Sequence, residues 1–256
     1  MTTYRDLDRK DPALWAWAVA TACWAATIAL TVTGVMRTGN HDIVLHNSGA
    51  WPARLAMFGA SWLVMIGAMM LPTTTSMLRH FWVVTAGAPG RRGSRAAIVA
   101  AYLTVWLLFA FAALGSDKLI HQTVEHSRWL ANRSGLILAG VLVLAGAFQF
   151  SGLKDRCLTM CRSPFSFLAG GYRRGVVAAW NIGVRHGLSC LGCCWALMLL
   201  MFATGVGSLV WMLALTAVMV GEKTARWGYQ LVKPVGLVLL ASGTVIGLAT
   251  LLVGPV

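Results

Sequence analysis

The chain has 256 residues, of which 58% are hydrophobic and only 11% are charged. Because a soluble domain carries about 25% charged residues, this composition excludes an ordinary soluble protein, and apolar runs of about 20 residues exclude the shorter alternating strands of a membrane β-barrel. The formal net charge is +13, but the basic residues lie in short segments between apolar runs, which indicates contacts to anionic lipid and excludes nucleic acid as the partner.

The apolar runs predict an all-α fold, a polytopic transmembrane bundle of about seven spans that forms one domain over residues 1–256. In chain order the runs are Leu14–Met36, Leu55–Leu78, Ala96–Gly115, Gly135–Phe150, Leu188–Gly205, Leu209–Gly221 and Val232–Val253. The first is too long for the apolar part of a signal peptide and no small-residue cleavage site closes it, so we expect it to be an uncleaved span.

Lys and Arg residues alternate between the two sides of the predicted bundle. Sixteen of the 21 lie in the N-terminal segment and in the second, fourth and sixth connecting segments. The positive-inside rule then predicts a cytoplasmic N-terminus and an exterior C-terminus.

The predicted exterior segments are less basic and hold four of the six histidines. These are His41, His46, His121 and His126. They are candidates for a divalent-metal site, but their spacing matches no compact ligand motif, which favours ordinary solvated histidines.

A histidine and three cysteines lie within nine residues at the start of the fifth apolar run: His186, Cys190, Cys193 and Cys194. In a helix, His186, Cys190 and one of the two adjacent cysteines share a face. Adjacent residues point about 100° apart on a helix, so only one of the pair is expected to join a mononuclear site. Thiolates and an imidazole form a soft-metal ligand set for Cu(I) or Zn(II). The alternative is that these cysteines are small apolar packing residues.

Two further cysteines, Cys157 and Cys161, lie four residues apart between the fourth and fifth runs. Their segment is predicted to be amphipathic and to lie in the cytoplasmic interface, with Ser163 and Pro164 starting a second short helix. Because the charge pattern assigns this segment to the same side as the His–Cys motif, at least one of Cys157 and Cys161 is expected to share a metal with Cys190 and one of the adjacent pair. His186 or Met69 would complete the ligand set, and the reducing cytoplasm would keep the thiols available.

The second apolar run carries a methionine-rich end. Met65 and Met69 lie one turn apart on one face, and thioethers are Cu(I) ligands, although methionine is also ordinary core filler. Pro72 removes a backbone hydrogen bond and is expected to kink this helix or to end it near Leu71.

Four motifs resemble those of a bacterial family of predicted metal-binding integral membrane proteins of unknown function. The motifs are Met65-x-x-Ala68-Met69-Met70-Leu71-Pro72, Cys157-x-x-x-Cys161-Arg162-Ser163-Pro164, Arg185-His186-Gly187-Leu188-x-Cys190-Leu191-Gly192-Cys193-Cys194-Trp195 and Glu222-Lys223. The resemblance implies a multi-pass protein of the bacterial inner (cytoplasmic) membrane with a metal site. It implies no particular reaction.

The leading hypothesis is a soft-metal site, copper with zinc as the alternative, used in metal handling or in metal-dependent redox chemistry. Its candidate ligands are Cys157, Cys161, His186, Cys190, Cys193, Cys194 and Met69. The expected partners are the lipid bilayer and either a metal-donor protein or a membrane complex, with no nucleic acid.

Three other functions stay open from the sequence, so whether the protein is an enzyme is undecided. One is a thiol–disulfide oxidoreductase that uses Cys190 and Cys193. Another is an enzyme for a lipid-soluble substrate, since ionisable residues such as Glu222 and Lys223 inside a membrane mark functional paths, although both also fit anchors at a helix end. The last is an accessory structural subunit.

Overall fold

The structure, a computed structural model, describes residues 12–32, 50–126, 129, 133, 135–170, 173–204 and 208–252. Every regular element within these residues is an α-helix. The helices are α1 Pro12–Val32, α2 Trp51–Val84, α3 Arg91–His126, α4 Gly135–Gln149, α5 Gly152–Arg162, α6 Pro164–Ala169, α7 Val176–Thr204, α8 Leu209–Thr224 and α9 Gly228–Leu252. The all-α prediction is confirmed for this part of the chain, and the described part of each of the seven apolar runs lies in a helix of its own, apart from the last residue of the fourth run, Phe150, which follows α4.

Five helices in the described ranges are long and apolar enough to cross a membrane, namely α1, α2, α3, α7 and α9. A sixth candidate combines α4 and α5, which are bent by 65° at their break. The 16 residues of α8 measure about 24 Å at 1.5 Å per residue, which is less than the roughly 30 Å of a bilayer core. The count of seven spans therefore stays a prediction.

The prediction that Pro72 kinks α2 or ends it near Leu71 is wrong about the ending, because α2 continues through Pro72 to Val84. Proline at this position leaves the carbonyl of Ala68 without its helical donor. The indole of Trp24 on α1 donates to that carbonyl at 3.0 Å. A neighbouring helix thus satisfies the freed group, which lets the helix pass through the proline.

The helix that carries the His–Cys motif begins earlier than the apolar run. α7 starts at Val176, so the motif lies in the middle of the helix. The apolar run from Leu188 had predicted that the motif lies at the start of the helix, and this prediction is wrong. The exposed side chain of Arg185 lowers the local hydropathy without breaking the helix. Gly183 lets this part of α7 approach α3 closely, because a Cβ there would lie 2.5 Å from the carbonyl oxygen of Ile98.

α7 lies at the centre of the helix assembly and packs against α3, α4, α5 and α8. α9 packs mainly against α4, where glycines permit close approach, since a Cβ on Gly146 would lie 2.9 Å from the carbonyl oxygen of Gly236. Such contacts between small residues are typical of helices that associate in membranes. The largest core cluster around α7 includes Trp62, Trp106 and the three cysteines of the motif.

The segment predicted to lie in the interface consists of two helices, α5 and α6. Pro164 stands in the first turn of α6 as expected, but the side chain of Ser163 forms no capping hydrogen bond. Ser151 caps α5 instead, because its hydroxyl accepts from the backbone N–H of Lys154 at 3.1 Å. One side of α5 is buried against α7, which fixes the cysteines of α5 relative to those of α7.

Candidate metal centre

The three cysteines of α7 are fully buried near the middle of the helix. The Sγ atoms of Cys193 and Cys194 lie 3.1 and 2.9 Å from the carbonyl oxygen of Cys190. Both thiols donate back to the preceding turn of the helix. The motif therefore gathers its three thiols around a single turn.

Cys161 on α5 reaches the same place from another helix. Its Sγ atom lies 4.0 Å from the Sγ atom of Cys193. If each sulfur formed a metal bond of about 2.3 Å, this 4.0 Å separation would correspond to a sulfur–metal–sulfur angle of about 120°. The two thiols are thus spaced as two ligands of one soft metal ion. Cys161 is partly exposed, whereas Cys193 is buried.

Cys157, one turn earlier on α5, contacts the backbone of α7. A Cβ added to Gly192 would lie 2.6 Å from the Cys157 Sγ atom. The missing side chain of Gly192 is what lets the two helices approach until Cys161 meets Cys193. The contact between Cys157 and Gly192 is thus a packing contact between α5 and α7.

A buried ion pair holds α5 against α8. Lys154 Nζ donates to Glu222 Oε2 at 2.6 Å, and both side chains are 1% exposed. The other carboxylate oxygen of Glu222 accepts from Gln149 Nε2 at 2.9 Å. Because a buried charge requires a partner and further hydrogen bonds, this arrangement ties the end of α4, the start of α5 and the end of α8 together.

Arg162, at the other end of α5, binds the C-terminal end of α8. Its guanidinium donates to the carbonyl oxygens of Glu222 and Ala225, the latter at 2.7 Å, and lies over the ring of Tyr229 at 4.7 Å. Carbonyl groups at a helix C-terminus lack intrahelical donors. Arg162 supplies donors and a positive charge there, which favours this end of the helix dipole.

Lys223 extends from α8 into the group of sulfur atoms. Its Nζ atom lies 3.1 Å from Cys190 Sγ, 3.8 Å from Cys194 Sγ and 3.9 Å from Met70 Sδ. We call Cys161, Cys190, Cys193, Cys194 and Met70 the sulfur cluster. It is assembled from α2, α5 and α7, and Lys223 of α8 lies against it.

His186 is linked to the sulfur cluster through Tyr102 of α3. The Tyr102 hydroxyl lies 3.2 Å from Cys190 Sγ, and the imidazole of His186 stacks on the tyrosine ring with centroids 5.8 Å apart. Phe167 also contacts the imidazole in a T-shaped arrangement, with the ring centroids 5.8 Å apart. His186 Nε2 is buried without a hydrogen-bond partner in the described structure, and the ring lines an apolar cavity of about 40 Å³ between α2 and α3.

The structure brings together only part of the ligand set named from the sequence. Cys161, Cys190, Cys193 and Cys194 meet in the cluster, whereas Cys157 contacts Gly192. Met69 is fully buried in the same core, but the methionine whose sulfur contacts Lys223 beside the cysteines is Met70. Among the described residues, no three His, Cys, Asp or Glu side chains already stand around one metal position.

The loop histidines are outside this centre. His41 and His46, and the side chain of His121, lie outside the described residues. The Nδ1 atom of His126 lies 2.6 Å from the carbonyl oxygen of Gln122 within α3.

Sequence reasoning missed Tyr102, Met70 and Lys154. The sequence contains a signal for Met70, because this residue follows Met69 in a methionine-rich helix. The direction of the Met70 side chain, however, depends on the rotation of the helix, which the sequence does not give. Lys154 counted only as a basic residue of a connecting segment. Its burial depends on Glu222, which is 68 positions away in the chain.

Comparison with protein families gives a match in keeping with this centre. A family model described as PpoB2, copper chaperone, matches residues 59–246, and this range holds every residue of the sulfur cluster. Neither a curated protein nor a solved structure matches the chain. Because the matched range covers well over half of the chain, the chain belongs to this copper chaperone family.

Proposed function

We propose that this protein is a membrane-embedded copper chaperone that binds Cu(I), as cargo, in the sulfur cluster. The observation that carries the proposal is the 4.0 Å separation between the sulfur atoms of Cys161 and Cys193, which come from two different helices. Cys161 and Cys193 are the first two ligands in this proposal. The copper chaperone family supports the choice of metal.

The chemistry of the surrounding groups also favours Cu(I). Thiolates and thioethers are soft ligands that select Cu(I), whereas Mg²⁺ and Ca²⁺ require oxygen ligands. The nearest buried carboxylate on α8, Glu222, is bound by Lys154 and Gln149. The ligand atoms available to a metal in this cluster are therefore sulfur atoms. Zinc is the alternative cargo, since it also accepts thiolate and imidazole ligands.

Copper transfer would proceed at Cys161. This cysteine is partly exposed and belongs to an 11-residue helix, whereas its partner Cys193 is buried in the central helix. A thiolate of a metal-donor or acceptor protein can bond to copper while the Cys161 thiolate leaves, so that the metal keeps its charge and its number of thiolates. The proposed partners are therefore such a protein and the surrounding lipid.

The proposed location is the bacterial inner membrane, with the N-terminus in the cytoplasm and about seven spans. The support is the excess of Lys and Arg in alternate segments, 16 of 21, together with the long apolar helices. A cytoplasmic position for the partly exposed Cys161 would keep its thiol reduced and ready for copper.

The test compares three single serine variants of the full chain, purified in detergent under reducing, oxygen-free conditions. Cys161→Ser and Cys193→Ser each remove one proposed ligand. Cys23→Ser is the matched control, because Cys23 packs against Gly67 between α1 and α2. Competition with a chromogenic Cu(I) chelator should show at least a tenfold loss of affinity in the first two variants and none in the control. Equal affinity in all three would refute the proposal.

A second function is favoured by the same pair. Two thiols 4.0 Å apart can form a disulfide after small side-chain rotations, since a disulfide is about 2.05 Å long. This candidate uses Cys161 with Cys193, in place of the Cys190–Cys193 pair expected from the sequence. Mass spectrometry after mild oxidation distinguishes the two functions: a redox protein forms and reopens this disulfide without copper, whereas a chaperone keeps free thiols and requires them for copper.

A further inference from the structure

Lys223 is a buried cation whose described partners are sulfur atoms. Its side chain is 7% exposed, and its Nζ atom contacts Cys190, Cys194 and Met70 at 3.1 to 3.9 Å. No carboxylate pairs with it among the described residues. A buried ammonium needs an anionic neighbour, and the groups beside it that can supply one are the thiols of the sulfur cluster, which include the proposed ligands Cys161 and Cys193.

The two charged residues Glu222 and Lys223 lie on different sides of α8. Glu222 and Lys223 are adjacent, so their side chains point about 100° apart on the helix. Glu222 is bound to Lys154 and Gln149 at the start of α5, while Lys223 contacts α7 and α2. The lysine charge is therefore not cancelled by its neighbour and acts on the sulfur cluster.

Copper binding would give that charge a partner. A cysteine that binds a metal does so as a thiolate, so one Cu(I) ion held by two thiolates carries a net charge of −1. An uncompensated charge of this kind is unfavourable in a buried, low-dielectric site. An ammonium beside the cluster brings the total to zero.

We propose that Lys223 is the built-in counter-charge of the copper site, a positioning residue that makes a buried two-thiolate Cu(I) complex electrically neutral. This inference rests on the proposed function, since it requires copper in the sulfur cluster. Lys223 does not bind the metal in this scheme. It contacts Cys190 and Cys194 through N–H···S hydrogen bonds and holds one positive charge beside the complex.

The experiment is a charge series at position 223 in the purified full-length protein, with Cu(I) affinity measured by competition with a chromogenic chelator without oxygen. Lys223→Leu and Lys223→Gln remove the charge without adding a copper ligand, and Lys223→Arg keeps it. Lys233→Leu is the matched control, because Lys233 is an exposed lysine on α9. Changes beside metal ligands commonly weaken metal binding 10–100-fold. We expect a loss in that range for both neutral variants, recovery of most of the affinity with arginine, and no change in the control.

A merely structural role of Lys223 predicts a different result. Arginine is larger than lysine and would disturb the packing at least as much as leucine does, so retained affinity with arginine and lost affinity with leucine and glutamine point to charge. Neutral variants that bind Cu(I) as tightly as the unchanged protein would overturn the inference. If Cys193→Ser weakens copper binding in the same experiment, the proposed function survives that result. If the unchanged protein binds no Cu(I), both fail.

Discussion

Gly192 lies at a close contact between α5 and α7. A side chain there would begin 2.6 Å from the Cys157 sulfur atom. We expect Gly192→Ala to push α5 away from α7, to destabilise the protein by about 1–3 kcal/mol as overpacking usually does, and to lower Cu(I) affinity by separating Cys161 from Cys193. Detergent unfolding curves and chelator competition measure the two effects.

A second substitution separates packing from metal binding at Cys157. Cys157→Ala removes the sulfur that the new methyl group would meet, so the double variant Gly192→Ala/Cys157→Ala should recover stability and copper affinity if Cys157 only packs. Recovered stability with lost copper would instead make Cys157 a ligand, as the sequence analysis had it.

His186 is connected to the cluster through Tyr102, whose hydroxyl lies 3.2 Å from Cys190 Sγ. His186→Ala removes the ring stacked on this tyrosine and should lower Cu(I) affinity about 10–100-fold, the range usual for groups that orient ligands. His80→Ala on α2 is the control, because His80 contacts only the Ser76 carbonyl of its own helix among the described contacts. Unchanged copper affinity in a well-expressed His186 variant would remove the histidine from the site.

At the scale of elements, the buried ion pair between Lys154 and Glu222 ties α5 to α8. Glu222→Gln leaves the buried lysine without its carboxylate and should destabilise the protein by about 3–5 kcal/mol. The double variant Lys154→Met/Glu222→Met removes both charges and should be less destabilised than Glu222→Gln alone. Unfolding by denaturing detergent is the measurement. If the destabilisation of the double variant equals the sum for the single variants Lys154→Met and Glu222→Met, the pair has no energetic coupling.

The sequence predicts the helices better than it predicts the contacts between them. Each apolar run marks a helix because a span needs an unbroken apolar stretch, and this signal is local. The start of α7 at Val176 was missed because Arg185 and His186 interrupt the hydropathy while leaving the helix intact. The passage of α2 through Pro72 depends on the indole of Trp24 in another helix, which no local pattern reports.

The site, too, has features that the sequence predicts and features that it does not. The spacing of His186, Cys190 and Cys193 is local, so a common helix and a cysteine-rich centre are readable from the sequence. That Cys161 meets Cys193, while Cys157 meets Gly192, depends on the rotation of α5 against α7. This rotation is set by the ends of α5, where Arg162 binds the end of α8 and Lys154 binds Glu222, contacts between residues 60 or more positions apart.

At the scale of the whole molecule, the sulfur cluster lies where the helices converge. α7 packs against α3, α4, α5 and α8, and its cysteines belong to the same core as Trp62. The depth of the cluster in a membrane then depends on whether the short α4 and α8 each cross it. Two spans shorter than the bilayer core would require local thinning of the bilayer or tilting of their neighbours.

The position of the C-terminus relative to the N-terminus decides the number of spans. If α4 and α8 both cross, the chain has seven spans and its ends lie on opposite sides; if α4 and α5 form one span and α8 does not cross, six spans put both ends on the same side. The charge pattern favours seven, with 16 of 21 basic residues in the segments assigned to the cytoplasm. Reporter fusions at residue 40, at Ala88 between α2 and α3, and after Leu252 should therefore report exterior, cytoplasmic and exterior positions. A cytoplasmic signal after Leu252, with the first two as expected, would leave six spans and make α8 a helix that packs beside the cluster without crossing.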